Sequence, residues 1–251
     1  MLKSRLHARY RYIMSFFARA VAGFIFWELV LPRLGLRAVT RRTRSNRYKQ
    51  LAGRFRSMAI RMGGVMIKVG QFLSSRLDIL PVEITEELSG LQDEVPAEDF
   101  EAIRTLAEAE LGASLENLFE RFEQEPLAAA SLGQVHRARL RADAAEAEGF
   151  QDVVVKIQRP FIEQLVEVDF SALHRVAGWL MHYGPIRKRV NVPALVKELE
   201  TTVYQEIDYL SEAGNAEIFG RNFAERKRIH VPRVIQSLTT KRVLTLENVF
   251  A

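Results

Sequence analysis

The spacing of apolar residues changes near Phe122, and this change constrains the fold more than any other feature of the sequence. Before it, apolar side chains such as Leu51, Phe55, Met58 and Met62 recur every three or four residues, which is the period of a helix. After it, short alternating or continuous apolar runs indicate strands, and two long helical segments interrupt them. We therefore predict an α+β chain whose helical N-terminal part precedes a sheet.

The second part of the chain is predicted to contain about five strands and two long helices. The strands are predicted at Gln124–Ala130, Val135–Leu140, Val153–Ile157, Ile229–Ser237 and Lys241–Leu246. The helices are predicted at Phe161–Tyr183 and Val192–Phe223, and Arg141–Gly149 is predicted to be a polar surface loop. The order β-β-β-α-α-β-β is that of a protein-kinase small lobe, an antiparallel sheet with helices.

Lys156 interrupts the third predicted strand, Val153–Ile157, which is otherwise apolar. A buried lysine is costly unless it is paired, and Glu206 on the second long helix is a plausible partner. In a kinase small lobe such a lysine holds phosphates and a helix glutamate orients it. The alternative is a lysine on an edge strand that reaches solvent, with the acids of the helix lining a solvated face.

The charges are divided unevenly along the chain. Residues 1–76 contain 17 of the 36 basic residues but only one of the 31 acidic residues, Glu28. A basic N-terminal part favours a phosphate-rich or anionic-lipid surface. The absence of cysteine excludes disulfides, cysteine-ligated zinc, iron–sulfur clusters and a thiol nucleophile. The five histidines lack metal-ligand spacing, so we expect no metal site.

The apolar segment Ile13–Leu31 is interrupted by two charges, Arg19 and Glu28, and is flanked by arginines. We interpret it as an interfacial or shallowly inserted membrane helix whose arginines reach the headgroups. The alternative is a buried helix that packs on the rest of the chain. Nucleic-acid binding is the least favoured of the three, because the arginines surround an aliphatic segment instead of stacking aromatics.

A helical pattern extends over residues 48–76 and contains the pair Gly63-Gly64, which is costly within a helix and indicates a bend or a close backbone approach. Lys68 and Gln71 are three residues apart and project from one helix face. By pattern alone, an exposed polar pair is the favoured interpretation of these two residues.

Four groups of residues, taken in order, resemble one family. They are Lys68-Val69-Gly70-Gln71, Ala128-Ala129-Ala130-Ser131-Leu132-Gly133-Gln134-Val135, Val154-Val155-Lys156-Ile157-Gln158-Arg159-Pro160, and Glu206-Ile207-Asp208-Tyr209 with Glu212-Ala213. The set is similar to the UbiB/AarF family of atypical kinase-like proteins, over roughly residues 50–251. Members of that family support isoprenoid-quinone biosynthesis and related lipid homeostasis.

The resemblance implies a nucleotide site. Ala128-Ala129-Ala130-Ser131 stands where typical kinases have a glycine-rich phosphate loop, and alanine restricts the backbone more than glycine does. In the family this replacement is linked to altered nucleotide preference and restrained protein-kinase activity. Lys156 matches the phosphate-binding lysine, and Glu206 matches the glutamate that pairs with it. Asp208 and Glu212 belong to the same family motif.

The resemblance also reverses the interpretation of Lys68 and Gln71. These residues match a signature helix that, in the family, folds over the site where a protein substrate would dock. The implied cofactor is ATP or ADP. The implied partners are adenine nucleotide, an anionic membrane surface and proteins of a lipid or quinone pathway. For a bacterial source, the expected location is the cytoplasmic face of a membrane.

A kinase also needs a catalytic aspartate followed by an asparagine, and a metal-binding aspartate before Phe-Gly. Neither motif occurs in this sequence, so we predict no catalytic residue in this chain. We interpret the chain as the N-terminal part of a longer protein whose large lobe is absent, and we expect Mg²⁺ only with that lobe. Alone, the chain should bind nucleotide weakly and should not turn over ATP.

By function, the chain is predicted to divide into a membrane-associating segment (1–47), a helical extension with the Lys-x-Gly-Gln motif (48–120) and a kinase-like lobe (121–251). The leading hypothesis is the nucleotide-binding part of a UbiB-like atypical kinase or ATPase. The alternative is a non-catalytic membrane- or partner-binding module that uses the kinase-like lobe as a scaffold.

Overall fold

The computed structural model describes residues 2–91, 95–226 and 228–249. The chain groups into two compact units, each made of two stretches of sequence. The helical unit comprises Met1–Glu94 and Glu163–Thr201, and the sheet unit comprises Val95–Ile162 and Thr202–Ala251. These two units are defined by contacts within the structure. The three segments predicted by function stay a prediction.

Helices make up most of the described structure. In chain order they are α1 (Leu2–Ile25), α2 (Leu31–Arg33), α3 (Arg37–Arg42), α4 (Arg44–Met62), α5 (Val65–Ser74), α6 (Val82–Ser89), α7 (Phe100–Leu111), α8 (Leu115–Leu118), α9 (Ala142–Glu148), α10 (Ile162–Met181), α11 (Gly184–Arg187), α12 (Val192–Glu206) and α13 (Tyr209–Phe223). The strands are β1 (Phe119–Phe122), β2 (Ala128–Ala129), β3 (Gly133–Leu140), β4 (Asp152–Gln158) and β5 (Val243–Glu247).

The helical path that begins with α1 continues through a π-helical turn at Phe26–Val30 into α2. Within the described residues, the stretch Leu2–Arg33 is the one helical span long and apolar enough to cross a membrane, by length and composition only. Only 6% of its apolar window is buried. Core helices of soluble proteins and signal sequences share this length and composition, so the span alone carries no conclusion.

The pair Gly63-Gly64 separates α4 from α5. Both glycines have positive φ angles, 61° and 58°, a conformation that side chains with a Cβ rarely adopt. The Gly63 amide makes the last helical hydrogen bond of α4, to the Ala59 carbonyl at 2.8 Å, and the positive φ of Gly63 then ends the helix. The bend predicted from this pair is confirmed.

The sheet unit contains a five-stranded antiparallel sheet in the order β1-β3-β4-β5, with β2 also paired to β3. One face packs on α7, where Ile103 and Ala107 share a buried core with Val155. On the other face, Leu244 packs with Tyr209 and Ala213 of α13. The predicted α+β class, a five-stranded antiparallel sheet preceded by helices, is confirmed.

Three predicted elements of the sheet region differ from the structure, and the predicted helix Val192–Phe223 is divided in two. The stretch Arg141–Gly149 is not a loop, because its alanines and glutamates form α9. Ile229–Ser237 is not a strand, since only Val234 makes an isolated bridge, to Leu246, and a 3₁₀ turn follows. The fifth strand of the sheet lies instead upstream, where the predicted strand Gln124–Ala130 is replaced by β1 and β2.

Candidate functional site

Lys156 lies on β4, between two neighbouring strands of the sheet. Directly opposite it are Val135 of β3 and Leu244 of β5. Because residues opposite one another in an antiparallel sheet share a face, these three side chains point to the α13 side. The Lys156 side chain is 31% exposed, so it is neither fully buried nor free in solvent.

The Lys156 ammonium group makes a two-point ion pair with Glu212. Nζ donates to the two carboxylate oxygens of Glu212 at 2.8 and 2.6 Å. It also lies 4.7 Å from the ring centroid of Tyr209, within range of a cation–π interaction. The partner implied for this lysine was Glu206; the structure places Glu212 against the ammonium group, and the predicted role of Glu206 stays a prediction.

A helix break explains the change of partner. The predicted single helix Val192–Phe223 is two helices, because α12 ends at Glu206 and α13 begins at Tyr209. Asp208 caps α13, accepting from the Ser211 amide at 3.4 Å and from its hydroxyl at 2.8 Å. The new helix direction brings its first turn, with Glu212, to the lysine.

The backbone carbonyls at this break are held by the end of β4. The side-chain amide of Gln158 donates through Nε2 to the Ile207 carbonyl and, at 3.0 Å, to the Lys241 carbonyl. Tyr209 is 1% exposed, and burial raises the pKa of its hydroxyl, so the ring stays neutral beside the lysine. The strand that carries Lys156 therefore also positions the start of the helix that carries Glu212.

The alanine-rich segment forms a tight β-turn region against β3. Ala128 and Ala129 form β2, and the Ala130 amide donates to the Gly133 carbonyl at 2.8 Å. Ser131 is buried, whereas Ala128 and Ala130 are exposed. Since Ala128 lies opposite Val135, which in turn lies opposite Lys156, the segment is at the same face as the lysine.

Arg159 holds this segment in place, although no role was predicted for it. Its Nε donates to the Ala130 carbonyl at 3.1 Å, and its backbone amide donates to the Leu132 carbonyl at 3.0 Å. The same guanidinium reaches the Pro96 carbonyl at 2.7 Å and pairs with Glu98. The residue was within a recognised motif, but the motif alone does not tell what it contacts.

A buried polar pair on β3 lies behind the segment. The Gln134 side chain accepts from the Glu98 amide at 2.8 Å and donates to Nε2 of His136 at 2.8 Å. Nδ1 of His136 then donates to the Glu123 carbonyl at 2.8 Å. Burial lowers the pKa of His136, only partly opposed by the bond to Glu123, so the ring serves as a neutral structural group.

Lys68 and Gln71 lie on α5 in the helical unit. The side-chain amide of Gln71 donates to the Leu91 carbonyl at 3.3 Å, which connects α5 to the residues that follow α6. Gly70, between them, faces Leu91 so closely that an added Cβ would lie 2.1 Å from its Cδ1 atom. The structure thus shows a packed helix here, and the role implied for Lys68 and Gln71, in a helix that folds over a substrate site, stays a prediction.

Comparison with known proteins identifies the family. A model described as the ABC1 atypical kinase-like domain matches residues 90–250. This chain belongs to the ABC1 atypical kinase-like family. The resemblance to UbiB/AarF proteins drawn from the sequence motifs is therefore confirmed.

Named relatives of the ABC1 family cover most of the chain. Protein ACTIVITY OF BC1 COMPLEX KINASE 8, chloroplastic, of Arabidopsis thaliana is 43% identical over 206 residues, 81% of this chain and 26% of the relative. Probable protein kinase UbiB of Blochmanniella pennsylvanica is 31% identical over 100% of this chain and 45% of the relative. The chain thus spans less than half the length of these relatives.

A solved structure also resembles this ABC1-family chain. The structure of Rv3197 from Mycobacterium tuberculosis, determined as a complex with erythromycin, gives a TM-score of 0.51 at 28% identity. The match covers 84% of this chain and 50% of that one. It agrees with the kinase-like small-lobe architecture predicted from the order of strands and helices.

Proposed function

We propose that the sheet unit binds the phosphates of ATP or ADP at Lys156. The observation that carries this proposal is the ion pair of Lys156 with Glu212, at 2.6 and 2.8 Å. In kinases a strand lysine paired with a helix glutamate holds the nucleotide phosphates. The Lys156 side chain is partly exposed, and the Glu212 carboxylate orients its ammonium group. Both properties suit a lysine that binds phosphate.

The surroundings of the lysine fit the rest of a nucleotide. Val135 and Val154 lie on the lysine face and are only partly buried, so they offer an apolar surface to an adenine base. Ala128-Ala129-Ala130-Ser131 lies at the same face and would cover the phosphates with less backbone freedom than a glycine-rich loop. Glu206, Asp208 and Glu212 then belong to one helix junction, in which Glu212 orients the lysine.

The chemistry of the whole protein is part of the same proposal. This chain spans only 26% to 45% of the named relatives, and motifs for a catalytic base and metal ligands do not occur in its sequence. We infer that the full-length protein is an atypical kinase or ATPase of the UbiB type that supports isoprenoid-quinone biosynthesis or lipid homeostasis. Mg²⁺ would neutralise the phosphates there. Within this chain, Lys156 supplies the positive charge.

Replacing Lys156 by Met should weaken nucleotide binding by roughly tenfold or more, because a charge-assisted hydrogen bond contributes about 1.5–3 kcal/mol. Binding of a fluorescent ADP or ATP analogue to the full 251-residue chain would measure this effect. The matched control is Lys197→Met, which removes an exposed lysine of α12 that is paired with Glu200. Unchanged affinity in Lys156→Met would refute the nucleotide site.

A second pair of variants tests the assignment of the orienting glutamate. Glu212→Gln should weaken nucleotide binding more than Glu206→Gln, because Glu212 makes a two-point contact with the Lys156 ammonium. The opposite order would return the orienting role to Glu206. If neither wild type nor variants bind nucleotide while vesicle binding persists, the non-catalytic module is the better description.

We also infer that the N-terminal region contacts a membrane at an anionic surface, in a bacterium the cytoplasmic face. A cluster of exposed apolar side chains begins at the last residue of α1 and continues beyond it, comprising Ile25, Phe26, Val30, Leu34, Leu36 and Val39. Arginines interleave with it at positions 33, 37, 41 and 42. Apolar insertion combined with basic headgroup contacts is the pattern of an interfacial helix.

Replacing Leu34 by Glu should lower binding to phosphatidylglycerol-containing vesicles by roughly tenfold, because burying one leucine contributes about 1.5–3 kcal/mol. Sedimentation with vesicles gives the bound fraction. Leu77→Glu is the matched control, since Leu34 and Leu77 are both 69% exposed but Leu77 lies outside the cluster. Equal losses in the two variants would contradict a membrane contact at this cluster.

A further inference from the structure

In the helical unit, α1, the π-helical turn that continues it and α4 line a groove of about 540 Å³. The contacts at its two ends show that the helices run antiparallel. At one end the Arg61 guanidinium donates to the Tyr12 hydroxyl at 2.8 Å, and at the other Arg47 donates to Glu28 at 2.9 Å. This volume is within the range of small-molecule sites.

Two arginines line the middle of the groove, one on each wall. Counting seven residues inward from Tyr12 and Arg61 leads to Arg19 on one wall and Arg54 on the other, and both line the groove. Within residues 2–91, 95–226 and 228–249, neither has a carboxylate partner. Like charges on the two walls of one groove repel, and an anion bound between the walls would relieve that repulsion.

The acidic residue of the groove already has basic partners. Glu28 is the one acid that lines it among the described residues, and it pairs with Arg47 at 2.9 Å and with Arg44 at 3.5 Å. The groove therefore carries an excess of positive charge. Guanidinium groups bind phosphate oxygens in a bidentate manner, which makes phosphate the anion that this arrangement suits best.

The wall between these charges is apolar. Phe24, Trp27, Leu51 and Met58 line the groove. Gly23 leaves it open, because a Cβ added at that position would have no atom within 4 Å. Inorganic phosphate would make no use of this surface, and a nucleic acid would need a longer basic strip. A hydrocarbon chain attached to the phosphate would cover it.

We propose that this groove binds a single-chain amphiphile with a phosphate head group. The phosphate lies between Arg19 and Arg54, and the hydrocarbon chain lies along Phe24 and Trp27. The Trp27 end of the groove leads toward the exposed apolar cluster at residues 25–39, so the chain can enter from a membrane surface. This site is independent of nucleotide binding at Lys156, and each can fail without the other.

Titration calorimetry of the full chain with dodecyl phosphate, below its micelle concentration, tests the head-group contacts. We expect one bound molecule per chain and an affinity at least tenfold lower in the double variant Arg19→Gln/Arg54→Gln. The matched control is Arg5→Gln/Arg11→Gln, which removes two exposed arginines of α1 outside the groove. Equal affinity in the groove variant and the wild type would overturn the proposal.

A second variant tests the apolar wall without changing any charge. Gly23→Trp should fill the groove and abolish binding of dodecyl phosphate, whereas Gly23→Ala should retain it. Circular dichroism and the thermal midpoint of each variant verify that the helices still form. Retained binding in Gly23→Trp would overturn the proposal.

Two further probes, inorganic phosphate and dodecanol, test whether the groove needs both the phosphate and the hydrocarbon chain. Inorganic phosphate and dodecanol should each bind at least tenfold more weakly than dodecyl phosphate, because each makes only one of the two kinds of contact. Equal affinity for inorganic phosphate would reduce the groove to an anion site and contradict the proposal. Equal affinity for dodecanol would show that the arginines take no part in binding, and this result would also contradict the proposal.

Discussion

Replacing Arg9 by Met should lower the free energy of unfolding of the helical unit by about 3–5 kcal/mol, the usual cost of leaving a buried charge unpaired. Arg9 donates to both carboxylate oxygens of Asp169 at 2.6 Å, and the carboxylate is 0% exposed. It also donates to the Met62 carbonyl at 2.7 Å. One side chain thus joins α1, the end of α4 and α10.

Urea denaturation followed by tryptophan fluorescence measures this loss, because both tryptophans, Trp27 and Trp179, belong to the helical unit. The control is the double variant Arg9→Met/Asp169→Leu, which leaves no buried charge and should recover much of the stability. If the double variant were as unstable as the single one, the loss would come from packing and the electrostatic explanation would be wrong.

The dependence on pH gives an independent check of the same pair. Burial raises the pKa of Asp169 above its ordinary value of 3.8, and Arg9 opposes this rise. A carboxyl whose folded-state pKa is raised favours folding when it is protonated, and this contribution is lost as the pH rises through that pKa. The loss of unfolding free energy in Arg9→Met should therefore become smaller as the pH falls toward 3.8.

Replacing Gly133 by Ala should destabilise the sheet unit by about 1–3 kcal/mol, the usual cost of overpacking a core. An added Cβ would lie 2.5 Å from the Tyr209 hydroxyl oxygen and 2.6 Å from the Ile157 carbonyl oxygen. The second contact is with the backbone of β4, which cannot turn aside as a flexible side chain can. The strand or Tyr209 must move, and Glu212 follows on the same helix.

Hydrogen exchange of the β4 amides measures the stability of the sheet directly. The matched control is Gly214→Ala within α13, where an added Cβ meets no atom within 4 Å. That change should stabilise the unit by about 0.5–1 kcal/mol, because alanine is the better helix former. Equal or slower exchange in Gly133→Ala than in the wild type would contradict the close approach at this glycine.

Local patterns were sufficient where one stretch of sequence decides its own conformation. The helical period over residues 48–76 predicted the two helices, and the pair Gly63-Gly64 predicted the bend between them. The alternating run at Val135–Leu140 predicted the central part of β3. Each of these features depends on neighbouring residues and their intrinsic preferences, which sequence periodicity reports.

Other predictions failed where two conformations have similar local energies. The loop predicted at Arg141–Gly149 forms α9, because its alanines and glutamates favour a helix once neighbouring strands fix its ends. The predicted strand Ile229–Ser237 makes only one bridge, and a 3₁₀ turn at Gln236–Leu238 follows it directly. Arg159 contacts Ala130 through the folding of distant segments, which no local pattern contains.

By itself, the sequence determined the family, the α+β class and the presence of a lysine in the middle of a strand, because these follow from motifs and from local periodicity. Only the tertiary structure decided which carboxylate meets Lys156. Helix α12 ends at Glu206, Asp208 caps a new helix, and the changed direction brings Glu212 to the ammonium group. A partner 56 residues away depends on where a helix turns, and that turn is decided by long-range contacts of Gln158 and Tyr209.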